Sequence, residues 1–343
     1  MDFSIRAVPS LPSTVVERQT GVVHQAFILG AGLGTRLRPL TARLPKPLIP
    51  LFHKSLAERA LDACEAVGIT RFAINVHHLP EMWRDETFGI PNGEWTEPGL
   101  KGVNGLPAKF GHWHNRPVHL FEEPALLETG GGLKNLAHWI EDAPLLIHNG
   151  DIFSTMPLDR LLAAHAASGL PVTLALRSQG DATHIALDES GERVIDIRNK
   201  LGRSEGTHVF TGIYCVNREF LDLLPPGEKV SVIPAFLELA EQGRLGAITL
   251  DEGYWMDLGD RKSYLAAHRD LDLGPRLHPE ADVSPAAVVE RSVVGPGAKI
   301  EAGAVVRGSV VWPNAIVRGD AVLDRCIVYS ERPVSGAHAD ADL

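Results

Sequence analysis

The residues of this chain best suited to chemistry are the glycines and cations between Gly30 and Lys46. Three glycines in five positions allow the backbone to turn sharply and to bring its N–H groups close to a ligand. Such a group of amides suits phosphate oxygens. Arg36 and Lys46 add fixed cations, which a triphosphate requires and a neutral ligand does not. The apolar run at 22–29 has the composition of a buried strand leading into the turn. The spacing therefore predicts a nucleotide-binding loop.

Other glycine-rich loops fit this stretch less well. A dinucleotide fingerprint needs a third glycine where Thr35 stands and a helix directly after it, whereas Pro39 and Pro45 interrupt any such helix. A P-loop ends in Gly-Lys-Ser/Thr, which is absent here. The remaining alternative is a plain strand-to-turn connection with incidental basic residues. The arginine, lysine and proline content is richer than such a turn requires.

The run from Gly30 to Pro47 resembles the signature of the sugar-1-phosphate nucleotidyltransferases, the NDP-sugar pyrophosphorylases. Its pattern is a glycine-rich loop, then Thr-Arg-Leu-x-Pro-Leu-Thr, then Pro-Lys-Pro, and the chain departs from it only at Ala31, where many members have glycine. The resemblance implies attack by a sugar-1-phosphate oxygen on the α-phosphorus of a nucleoside triphosphate, with pyrophosphate as leaving group. The expected partners are therefore an NTP and a sugar-1-phosphate.

Two aspartates are candidates for holding the Mg²⁺ that this reaction requires. Mg²⁺ prefers one or two carboxylates together with phosphate oxygens. Asp151 follows an apolar run at 145–149, and Asp257 lies in the sequence Trp-Met-Asp-Leu-Gly. Both resemble metal-binding aspartates of the family. The alternative for Asp151 is a turn aspartate or a helix cap.

The resemblance implies roles for several more residues. Arg36 would stabilise the triphosphate and the departing pyrophosphate, and Lys46 would contact the phosphates. The sugar contacts would come from Glu128, Gly212 and Lys200, although Lys200 lacks the glutamate and proline that flank its counterpart in the family. A helix-initiating turn at 128–132 and a core-strand glycine at position 212 are the alternatives. The nucleotide contacts would come from Gly30, Ala31, Gly32, Gly34, Thr35, Thr129 and Gly130.

Composition narrows the class of protein. The chain has 343 residues, 44% of them hydrophobic and 22% charged, as in ordinary globular proteins. A net charge of −10 argues against a nucleic-acid partner. Three widely spaced cysteines form no metal motif or disulfide framework and predict a reducing compartment. Residues 1–21 lack the apolar core of a signal peptide, and no run has membrane length. We therefore expect a cytoplasmic protein with a weakly ordered extension over 1–21 and no membrane partner.

Hydrophobic spacing supplies the elements that position these residues. Apolar runs predict strands at 72–76, 120–122, 145–148 and 172–176, and helical spacing predicts helices at 55–67, 133–140, 158–167 and 261–271. Alternating strands and helices predict a Rossmann-like, mostly parallel sheet with helices on both faces. Ligands of such sheets bind beyond the carboxyl ends of the strands, where Gly30 begins its loop. Residues 89–117 lack periodicity, which predicts a long loop serving either as a flap or as an insertion without a role.

The pattern changes from Asp282 onward. Aliphatic residues recur there every five or six positions with small residues between them, which is typical of a β-helix of hexapeptide repeats with two to three coils. The alternative is a set of ordinary short strands. The resemblance is to the left-handed β-helix tail of many NDP-sugar pyrophosphorylases. We place a nucleotidyltransferase domain at 22–273, with a short β-helix and polar tail at 274–343. Its uncapped end predicts a homo-oligomer.

The resemblances disagree about the substrate. Residues 127–132 look most like uridylyltransferases acting on N-acetylmuramate-1-phosphate, whereas the β-helix tail looks more like mannose-1-phosphate guanylyltransferases. We take UTP and N-acetylmuramate-1-phosphate as the main expectation and mannose-1-phosphate guanylyl transfer as the alternative. Some relatives of this fold are non-catalytic regulatory subunits, which typically lose the Arg-Lys signature or the metal aspartates. The arginine, the lysine and both aspartates are present here, as Arg36, Lys46, Asp151 and Asp257, which favours an enzyme. A β-helix acyltransferase is disfavoured, because the array is short and its only histidine after residue 282 is His338.

Overall fold

The computed structural model describes residues 23–83, 96–180 and 182–343, so the expected extension at 1–21 lies outside the described residues. The fold is a mixed α/β structure built on a nine-stranded central sheet, followed by a C-terminal part made of short parallel strands. Seven of the nine strands of the central sheet run in the same direction. The large, mostly parallel sheet predicted from the sequence is confirmed.

The elements before the C-terminal part alternate along the chain. The helices are α1 (Leu56–Ala66), α2 (Glu128–Asn135), α3 (Leu158–Ser168), α4 (Ile233–Glu241) and α5 (Arg261–Asp270). The strands are β1 (Gln25–Leu29), β2 (Pro50–Leu51), β3 (Lys54–Ser55), β4 (Arg71–Val76), β5 (Thr96–Lys101), β6 (Pro107–Trp113), β7 (Arg116–Glu122), β8 (Leu145–Asn149), β9 (Ile152–Ser154), β10 (Val172–Arg177), β11 (Ile185–Leu187), β12 (Val194–Ile197), β13 (Val209–Val216), β14 (Leu245–Thr249) and β15 (Trp255–Asp257).

The central sheet has the order β14-β10-β13-β8-β1-β4-β7-β6-β5, with β13 and β6 antiparallel to the rest. Alternate residues of a strand point to opposite faces, so each strand contributes to two apolar layers. Phe27 of β1 packs on the face covered by α2 and α4. Its neighbour Ile28 packs on the face covered by α1 and α3. The site therefore stands on a sheet buried on both sides.

Two of the four predicted helices begin at a capping box. Ser55 caps α1, where its hydroxyl accepts from the Glu58 N–H and the Glu58 carboxylate accepts from the Ser55 N–H. Asp260 caps α5 in the same way with Ser263. One prediction was displaced: α2 begins at Glu128, five residues before the predicted start, and its first turns contain all three consecutive glycines. Glycine weakens a helix interior, so tertiary contacts decide this start.

The predicted long loop at 89–117 was wrong where the structure describes it. Strands β5 and β6 and the start of β7 form an antiparallel edge of the central sheet from residue 96 onward. Residues 89–95 of that prediction lie outside the described residues. Trp113 is buried on the edge against the sheet, as expected of a packing residue. Strands β5 and β6 each contain a proline and a glycine, which obscured the alternation of this edge in the sequence.

The C-terminal part contains β16 (Asp282–Val283), β17 (Val288–Glu290), β18 (Val293–Val294), β19 (Lys299–Ile300), β20 (Val305–Arg307), β21 (Val310–Val311), β22 (Ile316–Val317), β23 (Val322–Asp324), β24 (Ile327–Val328) and β25 (Ala337–Ala339). They form three parallel sheets, β16-β19-β22, β17-β20-β23-β25 and β18-β21-β24. Partners such as Asp282 and Lys299 lie 17 positions apart, one turn of the coil.

This arrangement is that of a β-helix, in which three sheets enclose one apolar interior. Ile300, Val306 and Val317 of the recurring aliphatic positions are fully buried there. The segment expected to be a polar tail contributes to the coil, because β25 pairs with β23 and Leu343 exchanges backbone hydrogen bonds with Ile327 and Tyr329. In 23–83, 96–180 and 182–343, no helix combines the length and apolar character needed to cross a membrane.

Candidate active site

A cleft of about 370 Å³ opens at the carboxyl ends of the parallel strands β1, β4 and β8. Its walls are the glycine loop after β1, the ends of β4 and β8, and the beginning of α2. Lys46 and Asp151 lie at one side of the cleft, and Glu128 and Thr129 lie at another. This is the place at which the sequence predicted ligand binding, because loops at the carboxyl edge of such a sheet converge there.

The glycines of the first loop have three different surroundings. The N–H of Gly30 donates to Asn75 Oδ1 at 2.8 Å, and a Cβ there would lie 2.7 Å from the Asn75 carbonyl oxygen. Gly34 has a left-handed backbone, with φ of 59°, and a Cβ there would lie 2.7 Å from the Thr41 methyl group. Gly32 has no atom within 4 Å of its would-be Cβ and faces the open cleft. Only Gly32 therefore leaves space for a ligand.

The loop continues as three short 3₁₀ turns at Thr35–Leu37, Leu40–Ala42 and Lys46–Leu48. Ala31 lines the cleft and is buried, whereas Thr35 is exposed in the first turn. The backbone between Gly34 and Thr41 is tied by a bond from the Thr41 hydroxyl to the Gly34 carbonyl oxygen at 3.0 Å. Such turns replace the continuous helix of a dinucleotide fingerprint, as the prolines predicted.

Lys46 is buried between the two predicted metal ligands. Its ammonium donates to Asp151 Oδ2 at 2.7 Å and to Asp257 Oδ1 at 3.3 Å. Only 5% of the lysine side chain is exposed, whereas 38% of the Asp151 side chain and 46% of the Asp257 side chain are exposed. The carboxylates are therefore accessible to solvent, while the cation between them is buried and fixed. These are three of the four charged residues predicted for the chemistry, and the structure brings them into direct contact.

A short ladder brings the two aspartates together from positions about 100 residues apart. Strands β9 and β15 pair antiparallel, with Asp257 opposite Ile152, the residue after Asp151. The N–H of Gly150 donates to the Leu29 carbonyl oxygen at 2.9 Å and fixes the turn to the end of β1. Trp255 anchors β15 from the other side, since its indole N–H donates to the Thr211 carbonyl oxygen at 2.9 Å.

Arg36 is the fourth charged residue, and it reaches the group from the exposed side. Its guanidinium lies 3.6 Å from Asp257 Oδ2, with 68% of the side chain exposed. The guanidinium rests over Gly259, where a Cβ would lie 2.5 Å from Nη2 of Arg36. The sequence analysis missed Gly259 as a site residue. Its signal was the Asp-Leu-Gly sequence, in which the glycine gave no indication of which side chain would cover it.

Asn75 and Glu123 form a second group that the sequence analysis missed. The Asn75 amide donates to Glu123 Oε1 at 2.8 Å, and Glu123 Oε2 accepts from the Leu127 N–H at 3.0 Å. Both side chains are buried, and burial raises the pKa of the Glu123 carboxyl. Together they connect the Gly30 turn to the beginning of α2. A polar residue inside the apolar strand sequence Phe-Ala-Ile-Asn-Val was the available signal.

The three glycines of α2 are explained by close packing. Would-be Cβ atoms would lie 2.9 Å from the Val230 carbonyl oxygen at Gly130 and 2.2 Å from the Glu228 carbonyl oxygen at Gly131. The Gly130 N–H donates to that Val230 oxygen at 2.8 Å, which places Gly130 against the 228–231 segment instead of the cleft wall. At Gly132 the nearest atom is the amide nitrogen of Asn75.

The two residues before these glycines do face the cleft. Glu128 has a left-handed backbone, with φ of 62°, and lies 3.5 Å from the Lys229 ammonium. Thr129 lines the cleft and accepts from the Val232 N–H at 3.0 Å. A bulky residue in this conformation is uncommon and is held there by its surroundings.

Gly212 and Lys200 were predicted to contact the sugar, but neither lines the cleft. Gly212 lies in β13 with φ of 76°, and a Cβ there would lie 2.5 Å from the Asn149 side-chain nitrogen. It therefore leaves room for Asn149, which lines the cleft. Lys200 is exposed in the turn after β12, and the structure does not bring it to the cleft wall.

The donor set suits a hard divalent cation that arrives with phosphates. Asp151 and Asp257 offer carboxylate oxygens on one side of the cleft. Within the part of the chain that the structure describes, no group of three or more His, Cys, Asp or Glu side chains could hold a metal. Two carboxylates without a further protein cage are what Mg²⁺ typically uses when phosphate oxygens complete its shell.

Comparison with known proteins places this geometry in context. Residues 25–273 match the sequence profile of the family described as nucleotidyl transferase. The mannose-1-phosphate guanylyltransferase of Mycobacterium tuberculosis (strain ATCC 25618 / H37Rv) is 29% identical over 295 residues, covering 79% of this chain and 76% of that protein.

Plant and fungal proteins give similar alignments. The probable mannose-1-phosphate guanylyltransferase 2 of Arabidopsis thaliana is 27% identical over 254 residues, 71% of this chain and 64% of its own length. A mannose-1-phosphate guanyltransferase of Gibberella zeae is 29% identical over 252 residues, 71% of this chain and 62% of its own length. The chain thus spans less than two thirds of these two relatives.

Proposed function

The chain belongs to the nucleotidyl transferase family, and from that premise we propose that it joins a nucleoside triphosphate to a sugar-1-phosphate with release of pyrophosphate. One observation carries the proposal. Lys46 is held between Asp151 and Asp257 at the edge of the cleft, with Arg36 beside Asp257. Two cations and two carboxylates around a glycine-lined space suit the transfer of a group between phosphates.

Each of these residues has a role in the proposed reaction. An oxygen of the sugar phosphate forms a bond to the α-phosphorus of the triphosphate, and the bond from that phosphorus to the pyrophosphate oxygen breaks. Arg36 stabilises the charge that develops on the pyrophosphate, and Lys46 contacts the phosphates. The open backbone at Gly32 lets the phosphates approach the loop amides. No general base is required, since the sugar phosphate is already an anion at neutral pH.

Magnesium would be held by Asp151 and Asp257 and would offset the negative charge of the phosphates. The carboxylates are half exposed, so they can accept a cation together with its substrate. Binding of phosphate would then compete for the Lys46 ammonium, which now donates to both carboxylates. We propose that Lys46 exchanges part of its bonding from carboxylate to phosphate when the substrates bind.

For the substrates, we propose GTP and mannose-1-phosphate. The relatives named above are all described as mannose-1-phosphate guanylyltransferases or guanyltransferases. The expectation of UTP and N-acetylmuramate-1-phosphate is not supported by these comparisons, which favour the alternative from the sequence. The glycines at 130–132 that suggested the uridylyltransferases have a packing explanation in this fold. Their presence therefore says little about the base.

The other proposals concern the whole chain. We propose a nucleotidyltransferase domain at 22–273 and a β-helix of left-handed coil from 274. We propose a homo-oligomer, because Val288 and Val322 are exposed on either side of Val305 in one sheet of the β-helix. A cytoplasmic location is proposed from the cysteines, since Cys64, Cys215 and Cys326 are all unpaired and buried.

The proposed reaction is tested by pyrophosphate release with Mg²⁺ across four NTPs and four sugar-1-phosphates, those of glucose, mannose, N-acetylglucosamine and N-acetylmuramate. We expect GTP with mannose-1-phosphate to give the highest kcat/KM. Release with UTP and N-acetylmuramate-1-phosphate instead would restore the first expectation from the sequence. Binding of an NTP without release from any pair would identify a non-catalytic member of the family.

Two variants connect the activity to the charged group. We expect Lys46→Met and Asp151→Asn to lower kcat by about 10²–10³, because each removes a preorganised charge at the reacting phosphates. Lys54→Met is the matched control, since Lys54 forms an ion pair of 2.6 Å with Asp62 away from the cleft and should leave kcat unchanged. A Lys46→Met variant with the kcat of the control would remove Lys46 from the mechanism.

A further inference from the structure

The phosphate-binding loop has a second face that rests on the β-helix. Its residues Gly32, Gly34 and Lys46 line the cleft. On the opposite side, apolar residues of the loop share one buried cluster with a helix α5 residue and with residues of the β-helix. The members are Leu37, Leu40, Ile49, Tyr264, Val310, Trp312 and Ile327. Leu37 directly follows Arg36 in sequence, so the cluster begins one residue from a cation of the site.

A chain of hydrogen bonds runs through this cluster. The Trp312 indole N–H donates to the Tyr264 hydroxyl oxygen at 3.1 Å, and the Tyr264 O–H donates to the Pro50 carbonyl oxygen at 2.6 Å. Both side chains are buried, and burial raises the pKa of the Tyr264 hydroxyl. The tyrosine is therefore a neutral donor that connects the β-helix to the backbone just after the Lys46 turn.

A second contact joins the two parts at the surface. Arg43 lies in the loop, directly after the second 3₁₀ turn. In the structure its guanidinium donates to the Tyr329 carbonyl oxygen at 3.1 Å and lies 5.0 Å from the centre of the Tyr329 ring. Arg43 thus points to the β-helix and away from the cleft.

The loop depends on such contacts because it has little regular structure of its own. Each of its three 3₁₀ turns is closed by only two or three backbone bonds, such as that from the Ile49 N–H to the Lys46 carbonyl oxygen. Isolated turns of this kind are not stable in water. Their conformation is fixed by the cleft side at Gly34 and by the β-helix side at Leu37, Leu40 and Ile49.

We propose that Tyr264 and Trp312 are positioning residues of the site, through which the β-helix holds the loop that carries Arg36 and Lys46. This inference rests on the proposed function only for its catalytic consequence. The mechanical part, that the β-helix orders residues 35–50, stands independently of which reaction the site performs. The β-helix is then a structural half of the phosphate-binding site.

Hydrogen exchange of the loop tests the mechanical part without any substrate. Tyr264→Phe removes the donor to Pro50 and leaves the Pro50 oxygen and the Trp312 N–H without this partner. We expect amides of residues 37–49 to exchange about tenfold faster in this variant, the effect of one lost buried hydrogen bond. Val317→Ala is the control, because Val317 is buried inside the β-helix and outside the cluster.

The control separates loop positioning from general loss of stability. If Val317→Ala accelerates exchange in the loop as much as Tyr264→Phe does, the positioning role is wrong. Should Tyr264→Phe fail to fold, the exposed Arg43 supplies a second comparison. Arg43→Ala should accelerate the same amides, whereas Arg318→Ala, which removes a pair with Glu301 within the β-helix, should not. Equal exchange in these two variants would overturn the proposal.

A readout with ligand tests the link to the site. Energetic coupling is reciprocal, so GTP with Mg²⁺ should slow exchange at Val310 and Trp312 in the unmodified protein and slow it less in Tyr264→Phe. In turnover, Tyr264→Phe should raise the KM for the NTP more than the KM for the sugar phosphate. If the protein shows no turnover, the proposed reaction fails while the exchange results still decide the positioning role.

Discussion

At the residue scale, Gly32 and Gly34 show that neighbouring glycines are required for different reasons. Gly34 has a positive φ and close neighbours in Thr41 and Lys46, so its lack of a side chain serves the fold. Gly32 has open space around its missing side chain, so its lack of one serves the ligand. Fold and binding can therefore be separated by substitution at two positions of one loop.

We expect Gly32→Ala to keep the free energy of unfolding within about 0.5 kcal/mol and to weaken NTP binding about tenfold, since the methyl group displaces one phosphate contact. Gly34→Ala should destabilise the protein by about 1–3 kcal/mol through its left-handed backbone. Denaturant unfolding and titration calorimetry measure the two effects. Equal loss of stability in both variants would contradict this separation.

The charged side chains of the site were predicted from the sequence more completely than the residues that hold them in place. Lys46, Asp151 and Asp257 could be predicted because each stands in a short motif that resembles a motif of the family. Their meeting followed from the strand ends. Gly259 could not be predicted, because its role depends on the Arg36 guanidinium crossing it from another part of the chain. The direction of the Arg43 side chain could not be predicted for the same reason, because its partner Tyr329 is distant in sequence.

At the element scale, helix α5 carries a histidine that is fixed as neutral. His268 Nδ1 donates to the Tyr264 carbonyl oxygen at 3.0 Å, and its Nε2 accepts from the Phe52 N–H at 3.1 Å. Its ring stacks on Phe52 with 5.6 Å between ring centres. Burial lowers the pKa of His268 from 6.5 to about 4, because a charged ring would lose its hydration and its acceptor nitrogen.

This makes stability depend on pH in a defined direction. Between pH 6.5 and pH 4 the unfolded chain binds a proton at His268 that the folded protein excludes. The contribution of His268 to the free energy of unfolding is therefore complete above pH 6.5 and is lost as the pH falls toward 4. We expect unfolding free energy at pH 5 to be lower than at pH 7.5, with about 2 kcal/mol from His268. Burial lowers the pKa of His148 to about 4 as well, which adds to the loss.

Urea unfolding at pH 7.5 and pH 5 measures this difference. His268→Gln keeps a donor and an acceptor without a titrating ring, so the difference between the two pH values should shrink by about 2 kcal/mol. A variant with the full pH dependence of the unmodified protein would show that other groups cause it.

Elements with clean periodicity were predictable, and those shaped by distant contacts were not. The buried strands β1, β4 and β8 and the recurring aliphatic positions of the β-helix followed from spacing alone. Strands β5 and β6 did not, since the prolines and glycines within them obscure the alternation of apolar and polar residues. The start of α2 at Glu128 was set by the 228–231 backbone packed on its glycines.

At the scale of the whole molecule, the two parts share their apolar clusters. Val293 of the β-helix belongs to a cluster with Leu51, Phe153 and Leu258, in addition to the cluster around Trp312. These clusters form the joint between the β-helix and the sheet domain. The Arg261 guanidinium extends this joint by donating to Asp342 Oδ1 at 2.7 Å. Domains connected by large apolar contacts lose their independence, in contrast to domains with small polar interfaces.

We therefore expect the full chain to unfold in one calorimetric transition, with van't Hoff and calorimetric enthalpies in agreement. The Trp312→Ala variant should split the transition or lower its cooperativity, because it removes the largest side chain of the joint. Differential scanning calorimetry provides the measurement. Two separate transitions in the unmodified protein would mean that the β-helix and the sheet domain are stable independently.

The joint also determines when the protein can become complete during synthesis. Leu37 is translated before Ile327 of the same cluster, which follows about 290 residues later, an interval of about 15–60 s at the usual rates of translation. Throughout that interval the apolar side of the loop has no β-helix to cover it and is open to chaperones. The loop that carries Arg36 and Lys46 is thus translated well before the part of the chain that completes its surroundings.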